Sequence, residues 1–320
     1  MKPKIYITRK LPDLVVGKLK NEFEVRMWEK EEEQVPREIL EKEIQEIEGL
    51  YCLLTESIDR DLLNLAHSLK IVSNMAVGYN NIDVAAATEK GIMVTNTPGV
   101  LTETTADLTF ALIMASARRL VEASDYLRAG SWKTWSPMQL TGQDIYGATM
   151  GIFGLGRIGE ALVKRARGFD MNILYHSRSR KPDVEEQLGI QYVSKEALLR
   201  KSDFVCVLTP YTQETVNYIG VKELSIMKPN AILINTARGG IVNEEALYHA
   251  LKRGQIWGAG LDVFEEEPVG TDHPLLSLPN VVALPHIGSA SYNTRLKMAL
   301  LAAENLIQGL QGNTPKNLVN

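Results

Sequence analysis

The chain has 320 residues, 45% of them hydrophobic, with 35 Lys and Arg against 39 Asp and Glu, a net charge of −4 and an isoelectric point near 5.9. That length carries two domains with cores of their own. The mildly acidic balance, with no basic block, argues against a nucleic-acid partner.

The N-terminus runs from Met1-Lys2-Pro3-Lys4 straight into Ile5, without the apolar stretch of a signal peptide. The most apolar helical pattern, residues 106–117, contains Asp107 and is too short to span a bilayer. A cytoplasmic protein with no membrane partner is expected. Cys52 and Cys206 each sit in a strand-like apolar run without metal-ligand or redox spacing, which predicts inert core thiols in a reducing compartment.

Over the first hundred residues short apolar strands alternate with helical patterns, the signature of an α/β lobe. The strands fall near residues 5–8, 24–28, 50–54, 71–75 and 92–95, and the helices near 11–21, 37–47, 60–66 and 84–90. The run 29–33 reads as a solvated acidic loop. Two loops follow strand ends, where open parallel sheets bind ligands. They are Thr55-Glu56-Ser57 and Ala76-Val77-Gly78-Tyr79-Asn80-Asn81, and the glycine of the second suits it to turning backbone N–H groups outward as a nest for a carboxylate.

After Thr97-Pro98-Gly99 a helix is predicted over 102–119, apolar almost all round and therefore buried, as a connector between domains would be. The segment 132–138 then carries Trp132, Trp135 and Met138. Such aromatic density suggests an interface, with burial inside the monomer an equal alternative.

At 149–159 an apolar run breaks into Gly154-Leu155-Gly156-Arg157-Ile158-Gly159 and turns polar. Each glycine has its own physical use in a dinucleotide site: a tight turn out of the strand, close approach of backbone to pyrophosphate, and packing of the new helix on its strand. Alone the triplet signifies little. Here it lies between a buried strand and a helix with Ile158, Leu162 and Ala166 on one face, and a second strand follows at 171–175, which completes a βαβ unit. Further strands at 204–208, 231–235, 257–261 and 281–284 predict six parallel strands in this lobe, and a last helix is expected over 291–308.

An NAD-binding version of the motif places an acidic residue at the end of the second strand, about twenty residues on. This chain has His176-Ser177-Arg178-Ser179-Arg180-Lys181 there, three positive charges and no carboxylate. A ribose 2′-phosphate suits that charge, with Arg178 offering a planar two-pronged grip and Ser177 a donor beside it. NADP(H) is therefore favoured, with NAD(H) left open.

Three ionisable residues stand just beyond late strands: Arg238 in Thr236-Ala237-Arg238-Gly239-Gly240, Glu267 in Glu265-Glu266-Glu267-Pro268, and His286 in Pro285-His286-Ile287-Gly288. Singly each has an ordinary structural explanation. Together they form a chemical set: a histidine as general acid or base, a carboxylate that orients it and favours its charged form, and an arginine that holds a substrate carboxylate and polarises the adjacent carbonyl. No metal-binding set is visible, and hydride transfer with a histidine proton needs none.

The segments at 77–84, 96–112, 154–159, 235–240, 260–268 and 284–290 resemble, in combination, the D-isomer-specific 2-hydroxyacid dehydrogenases, and most closely their glyoxylate/hydroxypyruvate reductase branch. The likeness spans essentially the whole chain. It implies two doubly wound, Rossmann-like α/β lobes, a flavodoxin-like substrate lobe of residues 1–98 plus 288–320 and an NAD(P)-binding lobe of residues 99–287. It assigns catalysis to Arg238, Glu267 and His286, and substrate carboxylate binding to the backbone of Val77 and Gly78 together with Arg238 and His286. Leu155 to Ile158 become the pyrophosphate turn, Asp262 the nicotinamide carboxamide partner, and Thr236 and Gly288 the lining of the nicotinamide end.

Ser177 stands where many relatives carry an Asp that selects NAD, which agrees with the charge argument. The resemblance further implies a homodimer joined through the 132–138 arm, with Trp135 reaching the partner's substrate site. The activity it implies is NADPH-preferring reduction of a small 2-oxo acid, glyoxylate or hydroxypyruvate, to the D-2-hydroxy acid. A reductase of 2-ketogluconate-type sugar acids and a dinucleotide-sensing corepressor, a binding protein on the same fold, are the alternatives.

Overall fold

A computed structural model describes residues 2–320. The chain forms two compact units: the residues up to Leu101 together with Ala290–Asn320, and Thr102–Ser289. These boundaries lie within three residues of the divisions at 98/99 and 287/288 that the resemblance implies. At the second boundary the reason is local, because the amides of Ile287 and Gly288 are bonded to Asp262 and so belong with the second unit.

The first unit is a five-stranded parallel sheet in the order β2-β1-β3-β4-β5, comprising β1 (Lys4–Ile7), β2 (Glu24–Met27), β3 (Gly49–Cys52), β4 (Ile71–Asn74) and β5 (Met93–Thr95). Its crossovers are α1 (Asp13–Glu22), α2 (Arg37–Glu43), α3 (Arg60–Leu65) and α4 (Val84–Glu89). Strands β3 and β4 are buried throughout, as parallel strands covered on both faces must be. At the switch point between β1 and β3 the carboxylate of Glu56, 1% exposed, accepts from Thr8 Oγ1 at 2.7 Å, the Leu53 amide at 2.8 Å and Arg9 at 3.2 Å. This joins the loops that leave the two strands.

The second unit contains β6 (Thr149–Phe153), β7 (Asn172–His176), β8 (Gln191–Tyr192), β9 (Phe204–Val207), β10 (Ile232–Asn235), β11 (Gly258–Leu261) and β12 (Val281–Ala283). They form one parallel sheet in the order β12-β11-β10-β9-β6-β7-β8. Seven strands therefore replace the six expected. The added one, β8, is a two-residue edge strand whose Tyr192 packs edge-on against Tyr175, too short to leave a periodic signal.

The helix predicted over 102–119 is α5 (Thr102–Ala117), packed on β10, β11 and α7 (Arg157–Arg167) with eight buried residues. It stops early because Arg119 adopts a left-handed φ of 52°. A separate helix follows, α6 (Leu120–Arg128), which has no buried residue and which the apolar pattern did not reveal.

The remaining helices are α8 (Pro182–Leu188), α9 (Lys195–Lys201), α10 (Val221–Ser225) and α11 (Glu244–Lys252) in the second unit, and α12 (Tyr292–Leu310), which returns to the first. The return is tight. Tyr51 Oη and Ser73 Oγ donate to α12 carbonyls at 3.1 and 2.8 Å, and a Cβ at Gly49 would lie 2.9 Å from Leu310. Both cysteines are buried, and burial pushes both thiols well above their ordinary pKa.

Candidate active site

The turn after β6 divides the work of its glycines by geometry. Gly154 has φ 91°, and a Cβ there would lie 2.7 Å from the Thr209 amide and 2.8 Å from the Leu208 carbonyl, so the turn sits backbone to backbone on the end of β9. That is the switch point of the second sheet, where open α/β sheets take their ligands. At Gly156 an added Cβ meets nothing within 4 Å. The open side of this residue, at the N-terminus of α7 with no side-chain cap, leaves helix N–H groups available to an anion. The residues present thus fit a dinucleotide pyrophosphate.

Beyond β7 the charge is less free than the sequence implies. Arg180 forms a two-pronged pair with Glu185 at 2.9 Å, and Lys181 pairs with Glu160 at 3.1 Å. Both cations are thereby partly neutralised by acids that the local motif does not contain. Arg178 is exposed, and its charge helps to lower the carboxyl of Glu214, chiefly held down by the Thr212 hydroxyl. The Ser177 hydroxyl donates to the Ser179 carbonyl at 2.7 Å.

Three strand-end loops of the second unit bring Arg238, Glu267 and His286 together. After β10, Asn235 accepts from the Ala237 amide at 3.1 Å and donates to the Arg238 carbonyl at 3.0 Å, which fixes the turn that carries Arg238. A Cβ at Gly239 would lie 1.8 Å from the Phe264 carbonyl oxygen, so only glycine permits this turn to rest on the loop after β11. In that loop the Glu267 carboxylate accepts from the Phe264 amide at 2.9 Å through Oε1 and meets His286 Nδ1 at 2.6 Å through Oε2. The His286 backbone is held at a left-handed φ of 53°, an unfavourable conformation for a side-chain-bearing residue and one found where function demands it.

Asp262, 1% exposed, is what holds His286 in place. Its two oxygens accept from the Ile287 and Gly288 amides, each at 2.7 Å. The Thr236 and Thr109 hydroxyls share a buried hydrogen bond of 2.7 Å at the end of β10. Val77 and Gly78 follow β4 in the first unit, both partly exposed.

Burial and close polar partners pull the ionisable groups of this site in opposite directions. Burial alone would raise the Glu267 carboxyl, but the hydrogen bond and charge of His286, the Phe264 amide and the Arg238 charge outweigh it and bring it below its ordinary value. Burial lowers the Arg238 guanidinium, offset in part by Glu267. Burial likewise raises the Asp262 carboxyl against the pull of the Ile287 amide, His286 and the Gly288 amide. Among the described residues no group of three His, Cys, Asp or Glu side chains is placed to hold a metal ion.

Two residues that sequence reasoning passed over support this site. One is Asn235; the other is Glu244 at the start of α11, which accepts from the Glu265 amide at 2.6 Å and meets His273 Nε2 at 3.1 Å, bracing the loop that carries Glu267. Burial raises the Glu244 carboxyl. The only signal in the sequence was an acidic residue after Asn243, which reads as ordinary helix capping.

A glycine turn at the switch point of a doubly wound sheet, with an Arg, Glu and His gathered at the same sheet edge, defines a nicotinamide-dinucleotide oxidoreductase. The comparisons with known proteins narrow the class. Residues 110–288 match the NAD-binding domain of the D-isomer specific 2-hydroxyacid dehydrogenases. A glyoxylate reductase of Pyrococcus horikoshii is 52% identical over 324 residues, covering 100% of this chain and 96% of its own. One from Korarchaeum cryptofilum is 51% identical over 321 residues with the same coverage.

Among solved structures, the NADPH-dependent glyoxylate/hydroxypyruvate reductase of Sinorhizobium meliloti, in complex with NADP and malonate, is 36% identical with a TM-score of 0.87, covering 100% of this chain and 97% of that one. The chain belongs to the D-isomer-specific 2-hydroxyacid dehydrogenase family, on its glyoxylate reductase branch, and is an NAD(P)-dependent oxidoreductase.

The first two glycines give a matched test of the dinucleotide turn. Gly154→Ala should lower the melting temperature by several degrees, because left-handed strain costs about 1–3 kcal/mol before the contact with β9 is counted. Gly156→Ala should melt like the wild type yet bind NADPH at least about tenfold more weakly by fluorescence titration, since its methyl group would enter only the ligand's space. Equal NADPH affinity in Gly156→Ala and wild type would remove the pyrophosphate from this turn.

Proposed function

We propose that the protein reduces glyoxylate or hydroxypyruvate to the corresponding 2-hydroxy acid with NADPH, and that His286 is the general acid. The observation that carries this reading is the 2.6 Å contact between His286 Nδ1 and Glu267, which leaves Nε2 of the same ring for a substrate oxygen. NADPH, when bound at the Gly154–Gly159 turn, would supply the hydride that the carbonyl carbon accepts. His286 gives its Nε2 proton to the carbonyl oxygen, which is becoming an alkoxide. Glu267 orients the ring through Nδ1, a role that suits the carboxylate form its lowered pKa favours. Arg238 holds the substrate carboxylate and draws electron density from the adjacent carbonyl, with the Val77 and Gly78 amides as further carboxylate donors.

The names of the relatives support the substrate class, and the malonate-bound Sinorhizobium meliloti enzyme supports NADPH. The preference for NADPH rests on Arg178, the one cation of its loop without a hydrogen bond or ion pair among the described residues. Pairing is further proposed. Trp132, Trp135 and Met138 are 57%, 75% and 77% exposed, next to an α6 with no buried residue and a cleft of about 880 Å³ lined by Tyr126, Trp257 and Leu276 among others. So much apolar surface in one segment suits burial against a second copy. Sedimentation equilibrium should return twice the chain mass, and a monomer at micromolar concentration would exclude this part.

His286→Gln should bind NADPH as the wild type does and lose about a hundredfold to ten-thousandfold in turnover of glyoxylate. Wild-type turnover in that variant would refute the general-acid role. Arg178→Ala should raise the KM for NADPH about tenfold or more and leave that for NADH in place. Equal effects on the two cofactors would place the 2′-phosphate elsewhere.

A further inference from the structure

Beyond β4 three consecutive peptide groups are tied by their carbonyls. Ala76 O accepts from the Thr97 amide at 2.9 Å, Val77 O from Asn96 Nδ2 at 2.8 Å, and Gly78 O from Asn74 Nδ2 at 3.0 Å. In a planar trans peptide the C=O of one residue and the N–H of the next point in opposite directions. Holding these three carbonyls therefore turns the N–H groups of Val77, Gly78 and Tyr79 the other way. None of the three donates to an acceptor among the described residues. Successive backbone amides without a protein acceptor are the groups from which an anion site can be built.

The two asparagines are themselves anchored. Asn74 ends β4 with 0% exposure, and its Oδ1 lies 3.8 Å from Cys52 Sγ. Asn96 is held through its backbone, its amide on the Asn317 carbonyl at 3.3 Å and its carbonyl on Asn305 Nδ2 at 3.0 Å. A side-chain donor on a rigid strand end can fix a loop peptide against rotation. Without it, rotation of the 77–78 or 78–79 peptide would replace an N–H with a carbonyl oxygen and exchange attraction for a carboxylate with repulsion.

We propose that Asn74 and Asn96 are positioning residues that lock the Val77–Tyr79 peptides so that three amides, the Tyr79 N–H included, receive the carboxylate of the 2-oxo acid. The inference rests on the reading that this loop takes the substrate carboxylate. The asparagines do not touch substrate; they act through the backbone they hold.

The test pairs kinetics with direct observation of the amides. In the NADPH-saturated wild type, the ¹⁵N–¹H signals of Val77, Gly78 and Tyr79 should shift on titration with oxalate, an unreactive two-carbon carboxylate. Asn96→Ala and Asn74→Ala should each raise the KM for glyoxylate about fivefold to tenfold, the value of one lost hydrogen bond. The KM for NADPH and kcat should stay within about twofold, a split that general destabilisation would not produce. Should Asn74→Ala fail to fold because of its burial, the partly exposed Asn96→Ala carries the test. Shifting amides with an unchanged glyoxylate KM in Asn96→Ala would overturn the positioning role while leaving the carboxylate site intact. Motionless amides at saturating oxalate, with glyoxylate still turned over, would overturn the carboxylate site and the proposal with it.

Discussion

The contact between His286 and Glu267 depends on a constraint of backbone approach. Two loops from different strands must place a ring nitrogen and a carboxylate oxygen 2.6 Å apart, and a third must set Arg238 beside them. Long flexible side chains could meet that distance only at a large entropic cost. Here the backbone meets it: Gly239 lets the Arg238 turn rest directly on the Phe264–Glu265 peptide, and Asp262 ties the His286 loop through two amides. The side chains then need little reach of their own.

The same device recurs wherever ligand chemistry is placed. At Gly154 the turn after β6 lies against the end of β9 with no room for a Cβ. At the end of β4, side chains instead of glycine fix the peptides, with Asn74 and Asn96 bonded to loop carbonyls. In each case strand ends, rigid because their sheets are buried, set the orientation of N–H groups or of an ionisable side chain. Orientation settled before the reaction is what allows electrostatic stabilisation without reorganisation when charge develops.

Burial gives those electrostatics their direction. It opposes the charge of Arg238, Asp262 and Glu267 alike, and the hydrogen bonds from His286 and Phe264 are what make Glu267 the exception that falls below its ordinary value. A carboxylate kept charged beside a histidine is the arrangement a proton donor needs. Glu244 contributes from further out by holding the Glu265 amide, and so the loop that carries Glu267.

Much of this was legible in the residues, because the features that specify a parallel α/β lobe are local. Short apolar strands, helical periodicity and a glycine triplet between them mark β6, α7 and β7 without any distant contact, and Arg238, Glu267 and His286 are visible as ionisable residues just past strands. Where contributions came from elsewhere in the chain, local reading fell short. Two of the three charges after β7 are paired by Glu185 and Glu160, which lie outside that segment, and the two-residue β8 carries no period to detect.

The sequence by itself determined the fold class and the glycine turn between β6 and α7, and it marked Arg238, Glu267 and His286 as candidates, since each depends on residue types at short spacing. Only the tertiary structure decided which nitrogen of His286 meets Glu267, that Asp262 and Asn235 hold the loops, and that Asn74 and Asn96 pin carbonyls beyond their own strand ends. Those partners lie in different strands and loops, and the direction of a hydrogen bond between them exists only once the sheets have fixed where each backbone runs.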